Sequence, residues 1–298
     1  MSSVVAAEST LTTADGVTLA MTDWISTTPA RASVVIMHGL GEHAGRHHHV
    51  AQFFCAQGFA VRAYDHRGHG RSGGRRGDVP DDAALLTDAE AVLSDWTRKL
   101  GPGAAAPVLV GHSMGGLFAA RLAVCGRVPL SGLILSSPAL ALPLSGAQKL
   151  LLNVLTVIAP GLAVPNGLKL DYLSHDAAVI DAYCRDPLVH AKITARLLNA
   201  MLAAISVTQR DAHKLTIPTL LVFAGDDRLV DSRGSDRFFR QLQLGVGAMH
   251  RYGQLYHEIF NEPDADQVFR HISAWLTTQS LQIRTRVDDA NKTSVVKI

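Results

Sequence analysis

The amino-acid sequence predicts an α/β protein with a mostly parallel central sheet, helices on both faces of the sheet and an inserted helical cap. Three observations support this prediction. Short apolar runs of strand length alternate with longer helical segments, polar and glycine residues follow the runs, and one long helical stretch interrupts the alternation. The chain has 298 residues, of which 47% are hydrophobic and 18% charged, and this composition is sufficient for a sizeable buried core.

Five apolar runs have the length and the residue types of buried strands. They cover residues 33–37, 59–64, 107–111, 132–136 and 219–224, and residues 248–252 are strand-like as well. Helical segments are expected at about 47–57, 82–99, 115–125, 233–243 and 264–277. Because ligands bind at the carboxyl ends of the strands in open α/β sheets, the polar residues that follow the strands are the first candidates for a functional site.

Residues 140–210 differ in character from the rest of the chain. They are apolar and helical, they are interrupted by four prolines, and they contain no clear strand. A crossover between parallel strands needs far fewer residues, so this segment is predicted to form a helical cap, or lid, inserted in an α/β core of residues 1–139 and 211–280. The alternative is two ordinary crossover helices. Residues 281–298 are predicted to be a polar C-terminal tail.

The strongest chemical signal is the sequence Gly-His-Ser-Met-Gly at residues 111–115, which has the form G-x-S-x-G. A serine at a sharp strand-to-helix turn adopts a strained backbone, and glycines two residues away remove side chains that would collide. An apolar run precedes the motif and a helical segment follows it, as this turn requires. Ser113 is therefore the candidate nucleophile, and a glycine-rich turn without chemistry is the alternative.

A nucleophilic serine needs a base, and the base needs an acid that orients it. In folds with the G-x-S-x-G turn, the acid and then the histidine follow the serine in sequence. Asp227 follows the strand 219–224 and His257 follows the strand 248–252, so both complete a candidate triad in the required order. Asp226 is the alternative acid, and the Arg-Leu-Val turn after Asp227 favours Asp227.

The chemistry also needs two backbone N–H groups that stabilise a developing oxyanion. One is expected from Met114, the residue after the nucleophile, and the other from the loop after the strand 33–37. This loop reads His-Gly-Leu-Gly-Glu-His from His38 onward, and its glycines let the backbone of Leu40 turn inward. His38 is interpreted as a residue that braces the loop rather than as a second base.

Composition and spacing argue against several other functions. The formal net charge is +2 and no long basic run is present, whereas nucleic-acid binding needs a concentrated Lys/Arg surface. The consecutive histidines at 47–49 would point about 100° apart on a helix and cannot converge on one ion. His66 and His69 have a spacing that a metal could use, but no carboxylate or cysteine cluster accompanies them. No G-x-G-x-x-G motif follows the first predicted strand and no Walker sequence occurs, so the prediction includes neither a metal nor a cofactor.

Cysteine usage and the first residues predict a cytoplasmic protein. Cys55, Cys125 and Cys184 are far apart in the chain and are expected to be buried, reduced thiols. Residues 1–10 lack the basic and apolar regions of a signal peptide. The apolar stretch 150–164 is shorter than the roughly 20 residues that span a bilayer, although peripheral contact of the cap with a membrane surface is compatible with the sequence.

Four separated motifs agree in order and spacing with one known family. They are His-Gly-Leu-Gly-Glu-His at 38–43 with Arg46, Asp-x-x-Gly-His-Gly-x-Ser at 65–72, Gly-His-Ser-Met-Gly-Gly at 111–116 and Asp-Arg-Leu-Val at 227–230. Together they closely resemble the monoacylglycerol lipases and their lysophospholipase-like bacterial relatives, which are α/β-hydrolases. The resemblance covers about residues 10–277.

This resemblance implies the α/β-hydrolase fold and hydrolysis of monoacylglycerols or similar single-chain lipid esters to a fatty acid and an alcohol, without a metal or an organic cofactor. It implies a catalytic triad of Ser113, Asp227 and His257, and an oxyanion hole formed by Leu40 and Met114. It further implies that three side chains lie near the alcohol end of the substrate, namely Glu42, Arg46 and Tyr183.

Other functions on the same scaffold stay open at the level of sequence. They are a lysophospholipase, a carboxylesterase for short or medium chains, an acyltransferase and a catalytically silent binding protein. The apolar run 150–158 is expected to wall an acyl tunnel, which would favour longer chains by roughly 0.8 kcal/mol for each buried CH₂. Packing of the cap onto the core is the alternative role of this run. The expected partner is a small lipid ester and not a nucleic acid, and the sequence does not determine the oligomeric state.

Overall fold

The computed structural model describes residues 4–26, 30 and 32–294 of the chain. In these residues the strands are β1 (Val4–Thr12), β2 (Thr18–Ser26), β3 (Ala32–Met37), β4 (Phe59–Tyr64), β5 (Val108–His112), β6 (Gly132–Ser136), β7 (Ala163–Pro165), β8 (Lys192–Thr194), β9 (Thr219–Ala224) and β10 (Gly247–Tyr252). Eight of them form one sheet in the order β1-β2-β4-β3-β5-β6-β9-β10, and β7 pairs with β8 in a separate two-stranded sheet.

Helices cover both faces of the large sheet. They are α1 (His48–Ala56), α2 (Ala84–Leu100), α3 (Met114–Cys125), α4 (Gly146–Ile158), α5 (Ala177–Arg185), α6 (Ala195–Asp211), α7 (Arg233–Gln241) and α8 (Ala265–Ser294). Two large apolar clusters form the core. Val35 and Met37 of β3 belong to one cluster, and Val34 and Ile36 to the other. Successive side chains of a strand point to opposite faces, so one cluster lies on each side of the sheet.

Parallel pairing aligns the carboxyl ends of the central strands. Met37 at the end of β3 pairs with Gly111 of β5, and Ala224 at the end of β9 pairs with Tyr252 of β10. Only the pairs of β2 with β1 and with β4 are antiparallel within the described sheet. The predicted mostly parallel sheet with helices on both faces is thereby confirmed, and the loops that carry the candidate site residues meet at one edge.

The structure differs from the sequence prediction in three places. No strand is predicted before residue 32, but β1 and β2 form an antiparallel hairpin at the sheet edge, whose turn contains Gly16 with φ of 83°. β7 and β8 occur within 140–210, where no strand is predicted; each has three residues, too few for a recognisable apolar alternation. Helix α8 continues to Ser294, past the expected end at 277, and residues 295–298 of the predicted tail lie outside the described residues.

The 140–210 segment belongs to a single long connection between β6 and β9, which are adjacent and parallel. This segment contains α4, α5, α6 and the β7–β8 pair. Helix α4 begins at a capping box in which Ser145 Oγ accepts the backbone N–H of Gln148 and the Gln148 side chain accepts the backbone N–H of Ser145. Helix α6 packs against α3, the helix that starts directly after Ser113, so the connection is anchored beside the predicted nucleophile.

One arginine and two aspartates join β2, β4 and α2 within the core. Arg62 Nε donates to Asp23 Oδ1 at 2.7 Å, and Arg62 Nη1 donates to Asp95 Oδ2 at 2.6 Å. The guanidinium also lies 4.7 Å from the centre of the Trp96 ring. One guanidinium thus bridges two carboxylates on elements that carry none of the predicted site residues.

Candidate active site

Ser113 lies at a sharp turn between β5 and α3. Its backbone has φ of 54° and ψ of −118°, a conformation that a non-glycine residue keeps only when its surroundings enforce it. A Cβ on Gly111 would lie 2.6 Å from the carbonyl oxygen of Gly115, and a Cβ on Gly115 would collide with the carbonyl oxygen of Met37. Both glycines of the motif are therefore needed for this turn.

A chain of hydrogen bonds joins Ser113, His257 and Asp227. His257 Nε2 lies 2.8 Å from Ser113 Oγ, and His257 Nδ1 lies 2.6 Å from Asp227 Oδ2. Because Nδ1 donates to the carboxylate, Nε2 is the nitrogen that can accept a proton from the serine hydroxyl. The structure thus brings the three predicted residues together in an arrangement suited to nucleophilic catalysis.

The structure distinguishes the two neighbouring aspartates. The side chain of Asp227 is 1% exposed, and its second oxygen, Oδ1, accepts two backbone N–H groups of the following turn at 2.9 Å each. The side chain of Asp226 is 38% exposed and accepts a hydrogen bond from Arg228 at 2.6 Å. The imidazole of His257 therefore contacts Asp227, while Asp226 faces the surface.

Asp227 also favours the protonated, positively charged form of His257. Burial alone would lower the pKa of His257, but the negative charge and the hydrogen bond of Asp227, with smaller contributions from Glu258 and Glu42, raise that pKa above 6.5. The ring of His112 lies 4.9 Å from that of His257. Burial and the neighbouring His257 hold the pKa of His112 well below 6.5, so His112 is neutral and does not compete as the charged imidazole.

The loop after β3 passes directly beside the nucleophile. A Cβ on Gly39 would lie 3.2 Å from Ser113 Cβ, so glycine permits the close approach. The next residue, Leu40, lines the small cavity at Ser113. Met114 is the first residue of α3, and the backbone N–H at that position has no partner within the helix. Leu40 therefore lies at the cavity that contains Ser113, and Met114 directly follows Ser113 in the chain.

His38 holds this loop in place. Its Nε2 accepts the backbone N–H of His66 at 2.9 Å, so its Nδ1 carries the hydrogen and donates to the carbonyl oxygen of Gly39 at 2.8 Å. Burial and the nearby His69 hold the pKa of His38 well below 6.5. Both ring nitrogens are thus used within the protein, and His38 braces the loop instead of facing the serine.

Ser113 and His257 open into a small cavity of about 50 Å³, and a larger cavity of about 410 Å³ adjoins it. The two share five apolar side chains, namely Leu40, Leu142, Leu168, Met201 and Leu229. Helix α4 contributes Leu151, Leu152 and Leu155 to the wall of the larger cavity. We call this larger cavity the apolar chamber; it continues from the candidate nucleophile into the 140–210 segment.

The three residues expected near the alcohol end of a substrate lie together beside the small cavity. Glu42 and Tyr183 line it, whereas Arg46 lies behind them with its guanidinium 4.6 Å from the centre of the Tyr183 ring. Arg46 donates to Glu42 at 2.7 Å and to Glu258 at 2.6 and 2.7 Å. Sequence reasoning missed Glu258, whose only signal is its place directly after His257 in the chain.

The consecutive histidines at 47–49 do not converge on a common point. In the run 47–49, His47 Nε2 lies 3.1 Å from Glu42 Oε1, the ring of His48 lies 5.7 Å from that of Trp24, and His49 Nε2 lies 3.1 Å from the carbonyl oxygen of Phe260. Within the described part of the chain, no group of three His, Cys, Asp or Glu side chains could hold a metal ion.

The cysteines differ from the expectation that all three are buried. Cys55 and Cys125 are partly buried, and Cys184 is exposed on α5. The neighbouring Tyr183 occupies the buried face of this short amphipathic helix, so the next residue points outward.

In the described residues, no helix is both long enough and apolar enough to cross a membrane.

Comparison with known proteins gives one consistent group of relatives. Residues 28–264 match the family described as serine aminopeptidase, S33. The monoacylglycerol lipase of Mycolicibacterium smegmatis is 36% identical over 274 residues, which cover 88% of this chain and 94% of that protein. The monoglyceride lipase of Homo sapiens is 32% identical over 277 residues, covering 91% of this chain and 90% of that protein.

A solved structure and a further relative extend this similarity. The crystal structure of the Paleococcus ferrophilus monoacylglycerol lipase matches with a TM-score of 0.78 at 30% identity, covering 93% of this chain and 99% of that chain. The phospholipase YtpA of Bacillus subtilis is 33% identical over 259 residues, covering 86% of this chain and 98% of that protein. The predicted α/β-hydrolase fold is thereby confirmed.

Proposed function

Because this chain is a serine ester hydrolase that belongs to the monoacylglycerol lipase family of α/β-hydrolases, we propose that it hydrolyses monoacylglycerols or similar single-chain lipid esters to a fatty acid and an alcohol. The observation that carries the proposal is the Ser113–His257–Asp227 hydrogen-bonded chain beside an apolar chamber of about 410 Å³. A site of this kind combines an activated nucleophile with space for an acyl chain.

In the proposed mechanism, Ser113 Oγ attacks the ester carbonyl carbon while His257 Nε2 accepts the hydroxyl proton. The backbone N–H groups of Leu40 and Met114 stabilise the oxyanion of the tetrahedral intermediate. His257 then donates its proton to the leaving alkoxide, which departs as the alcohol and leaves an acyl ester on Ser113. Water, deprotonated by His257, attacks this ester to form a second tetrahedral intermediate. The bond to Ser113 Oγ then breaks, His257 returns the proton to that oxygen and the fatty acid is released, while Asp227 stabilises the imidazolium in both stages.

We assign the acyl chain to the apolar chamber and the 140–210 segment to a cap over the nucleophile. Apolar side chains of α4 and α6, including Leu152, Leu155 and Met201, line the chamber. An acyl chain that extended from Ser113 past Leu40 and Leu229 would enter it. Each methylene removed from water would contribute roughly 0.8 kcal/mol, so the site favours medium or long chains over acetyl esters.

The contacts around the small cavity favour an ester over an aminopeptidase substrate. An aminopeptidase must bind an α-ammonium group, which needs an unpaired carboxylate near the nucleophile. The carboxylates that line the small cavity are Glu42 and Glu258. Arg46 pairs with both, and His47 contacts Glu42 as well. No free carboxylate is left in this lining to attract a substrate cation.

A lysophospholipase is the second candidate, because two cationic residues border the chamber. Lys169 and Arg228 are exposed lining residues of an otherwise mostly apolar wall, and cations of this kind pair with phosphate oxygens. Arg228 already pairs with Asp226, so Lys169 is the main candidate for this contact. A hydrolysis panel of monoacylglycerols, lysophospholipids and nitrophenyl esters separates the candidates. A preference for lysophospholipids would favour the second candidate, and a maximum at acetyl or propionyl esters would favour a short-chain carboxylesterase.

Narrowing the chamber is expected to shorten the preferred acyl chain. Leu155 is buried and lines the chamber from α4, so Leu155→Trp removes space for several methylenes. At roughly 0.8 kcal/mol for each methylene, losing two or three of them lowers kcat/KM for decanoyl esters about 10- to 100-fold. Acetyl ester hydrolysis should change little. The measurement is kcat/KM for nitrophenyl esters from acetyl to decanoyl, kept below their aggregation concentrations.

The matched control for this variant is Val157→Trp, which adds the same side chain to the exposed face of α4. It should leave the chain-length profile unchanged, and thermal unfolding of both variants reports whether either is misfolded. If the ratio of kcat/KM for decanoyl and acetyl esters stays unchanged in a folded Leu155→Trp protein, the acyl chain does not bind in the chamber.

We also propose that α4 contacts lipid surfaces. One face of this helix turns Leu152 and Leu155 inward, whereas its outer face and the following turn expose a group of apolar side chains, namely Leu150, Val154, Val157, Ile158 and Leu162. Residues 140–170 contain Lys149 and Lys169 and no acidic residue. An exposed apolar face with flanking lysines is suited to a negatively charged lipid surface, and it lies on the same helix that lines the chamber.

The double variant Val157→Gln/Ile158→Gln is expected to weaken binding to phosphatidylglycerol vesicles at least about 10-fold, because two side chains lose apolar contact with lipid. Cosedimentation with vesicles measures the effect. Leu244→Gln replaces an equally exposed leucine outside the 140–210 segment and serves as the control. Equal binding of both variants and the unmodified protein would show that α4 is not the contact surface.

A further inference from the structure

Three charged side chains behind the small cavity form one connected group. Arg46 Nη1 donates to Glu42 Oε2 at 2.7 Å and to Glu258 Oε1 at 2.6 Å, and Arg46 Nη2 donates to Glu258 Oε2 at 2.7 Å. The side chains of Glu42, Arg46 and Glu258 are 4%, 11% and 5% exposed. We call this group the Glu42–Arg46–Glu258 clamp.

Stability alone does not account for the clamp. Removing three charged groups from water costs free energy that their mutual attraction only partly offsets, and apolar replacements of such groups are often as stable. The clamp also contains two carboxylates for one guanidinium. Both carboxylates favour the charged form of His257, which is adjacent to Glu258 in the chain.

The clamp connects the two loops on which the proposed chemistry depends. Glu42 Oε1 accepts the backbone N–H of Gly39 at 2.6 Å, the residue before Leu40. At the other end, Glu258 follows His257, and the backbone N–H of Glu258 donates to the carbonyl oxygen of Leu173 at 2.8 Å. The bidentate geometry of Arg46 fixes direction as well as distance, so a displacement of one loop is transmitted to the other.

On the basis of the proposed function, we propose that Glu258 is a positioning residue, which acts with Arg46 and Glu42 to hold the His257 loop in register with the loop that presents the Leu40 N–H group. The base and one oxyanion donor are then fixed relative to each other before substrate binds. Such preorganisation matters because displacements of about 1 Å in a site can cost about 100-fold in rate.

The clamp also acts on His257 through its charge. Three negatively charged groups act on the imidazole: Asp227 from the loop after β9, Glu258 next to His257 in the chain, and Glu42 from the segment after β3. Arg46, from the same segment as Glu42, pairs with both glutamates. His112 from β5 lies against the imidazole, and His47 lies behind His112 at 5.7 Å between ring centres. Replacing Glu258 with glutamine removes a negative charge and makes the imidazolium less favourable. The pKa of His257 should therefore fall.

The test uses Glu258→Gln and Arg46→Lys in the full-length chain with a nitrophenyl octanoate substrate. Glu258→Gln is expected to lower kcat about 10- to 100-fold with a smaller change in KM. It should also move the acid limb of the kcat/KM profile to lower pH by about half a unit to one unit. Arg46→Lys keeps the positive charge but cannot form the same fork of hydrogen bonds, so kcat should fall while the acid limb stays in place.

Asp95→Asn is the matched control, because it breaks the same carboxylate–guanidinium–carboxylate arrangement at Arg62, on elements outside the site. It should alter thermal stability and leave kcat and the acid limb unchanged. Wild-type kcat in folded Glu258→Gln, full activity in Arg46→Lys, or an equal loss in Asp95→Asn would each overturn the positioning role. Loss of phosphonate labelling in Ser113→Ala, measured alongside, tests the proposed function independently of Glu258.

Discussion

Replacing Ser113 with alanine is expected to lower ester turnover about 10⁴- to 10⁶-fold, and His257→Ala is expected to cause a loss of the same order. His257 Nε2 lies within hydrogen-bond distance of Ser113 Oγ, at 2.8 Å. Without the hydroxyl there is no nucleophile, and without the imidazole no group accepts its proton. Steady-state hydrolysis of nitrophenyl octanoate and labelling by an alkyl phosphonate measure both effects.

Ser33→Ala is a suitable control for these variants. Ser33 is also buried, and its hydroxyl has no hydrogen-bond partner within the described residues, so its removal should affect neither activity nor labelling. Near-normal turnover in a folded Ser113→Ala protein would exclude the triad. Failure of the unmodified protein to react with the phosphonate would instead identify a catalytically silent binding protein.

Asp227→Asn is expected to lower kcat about 10³- to 10⁴-fold, because the amide neither holds the imidazole in the required tautomer nor stabilises the imidazolium. Asp227 Oδ2 lies 2.6 Å from His257 Nδ1 and is buried. The neighbouring Asp226→Asn is the matched control, since it makes the same chemical change one residue away. Asp226 pairs with Arg228 at the surface, so its loss should change kcat by no more than about twofold.

The pH profile gives this comparison a second measurement. The charge of Asp227 raises the pKa of His257, so the acid limb of kcat/KM should move to lower pH in Asp227→Asn and stay in place in Asp226→Asn. Thermal unfolding of both variants separates loss of catalysis from loss of structure. A larger loss of kcat in Asp226→Asn than in Asp227→Asn would identify Asp226 as the acid, and the proposed roles of Ser113 and His257 would not change.

The sequence by itself predicts the features that depend on local backbone constraints. The turn at Ser113 needs glycine at 111 and 115 because Cβ atoms there would collide with neighbouring backbone, and such a requirement is visible as fixed spacing. Buried parallel strands need continuous apolar runs, and this need made β3, β4, β5, β6 and β9 predictable. The order serine, acid, histidine follows from the order of β5, β9 and β10 along the chain.

Other elements leave too weak a local pattern to be predicted. Strands β1 and β2 form a hairpin at one end of the sheet, and the three-residue strands β7 and β8 are too short for a clear alternation. Their existence depends on pairing partners that the three-dimensional arrangement supplies. The C-terminal end of α8 could not be predicted either, because the polar residues after 277 do not by themselves distinguish a helix from an irregular tail.

The tertiary structure decided which side chains meet. Ser113 and His257 are 144 residues apart, and Arg46 and Glu258 are 212 residues apart, so no local pattern records either contact. The choice between Asp226 and Asp227 depends on which of two adjacent side chains the loop after β9 turns inward. The sequence determines where the strands end and which chemical groups follow them; the folded loops determine the distances and the burial that set the charge of His257.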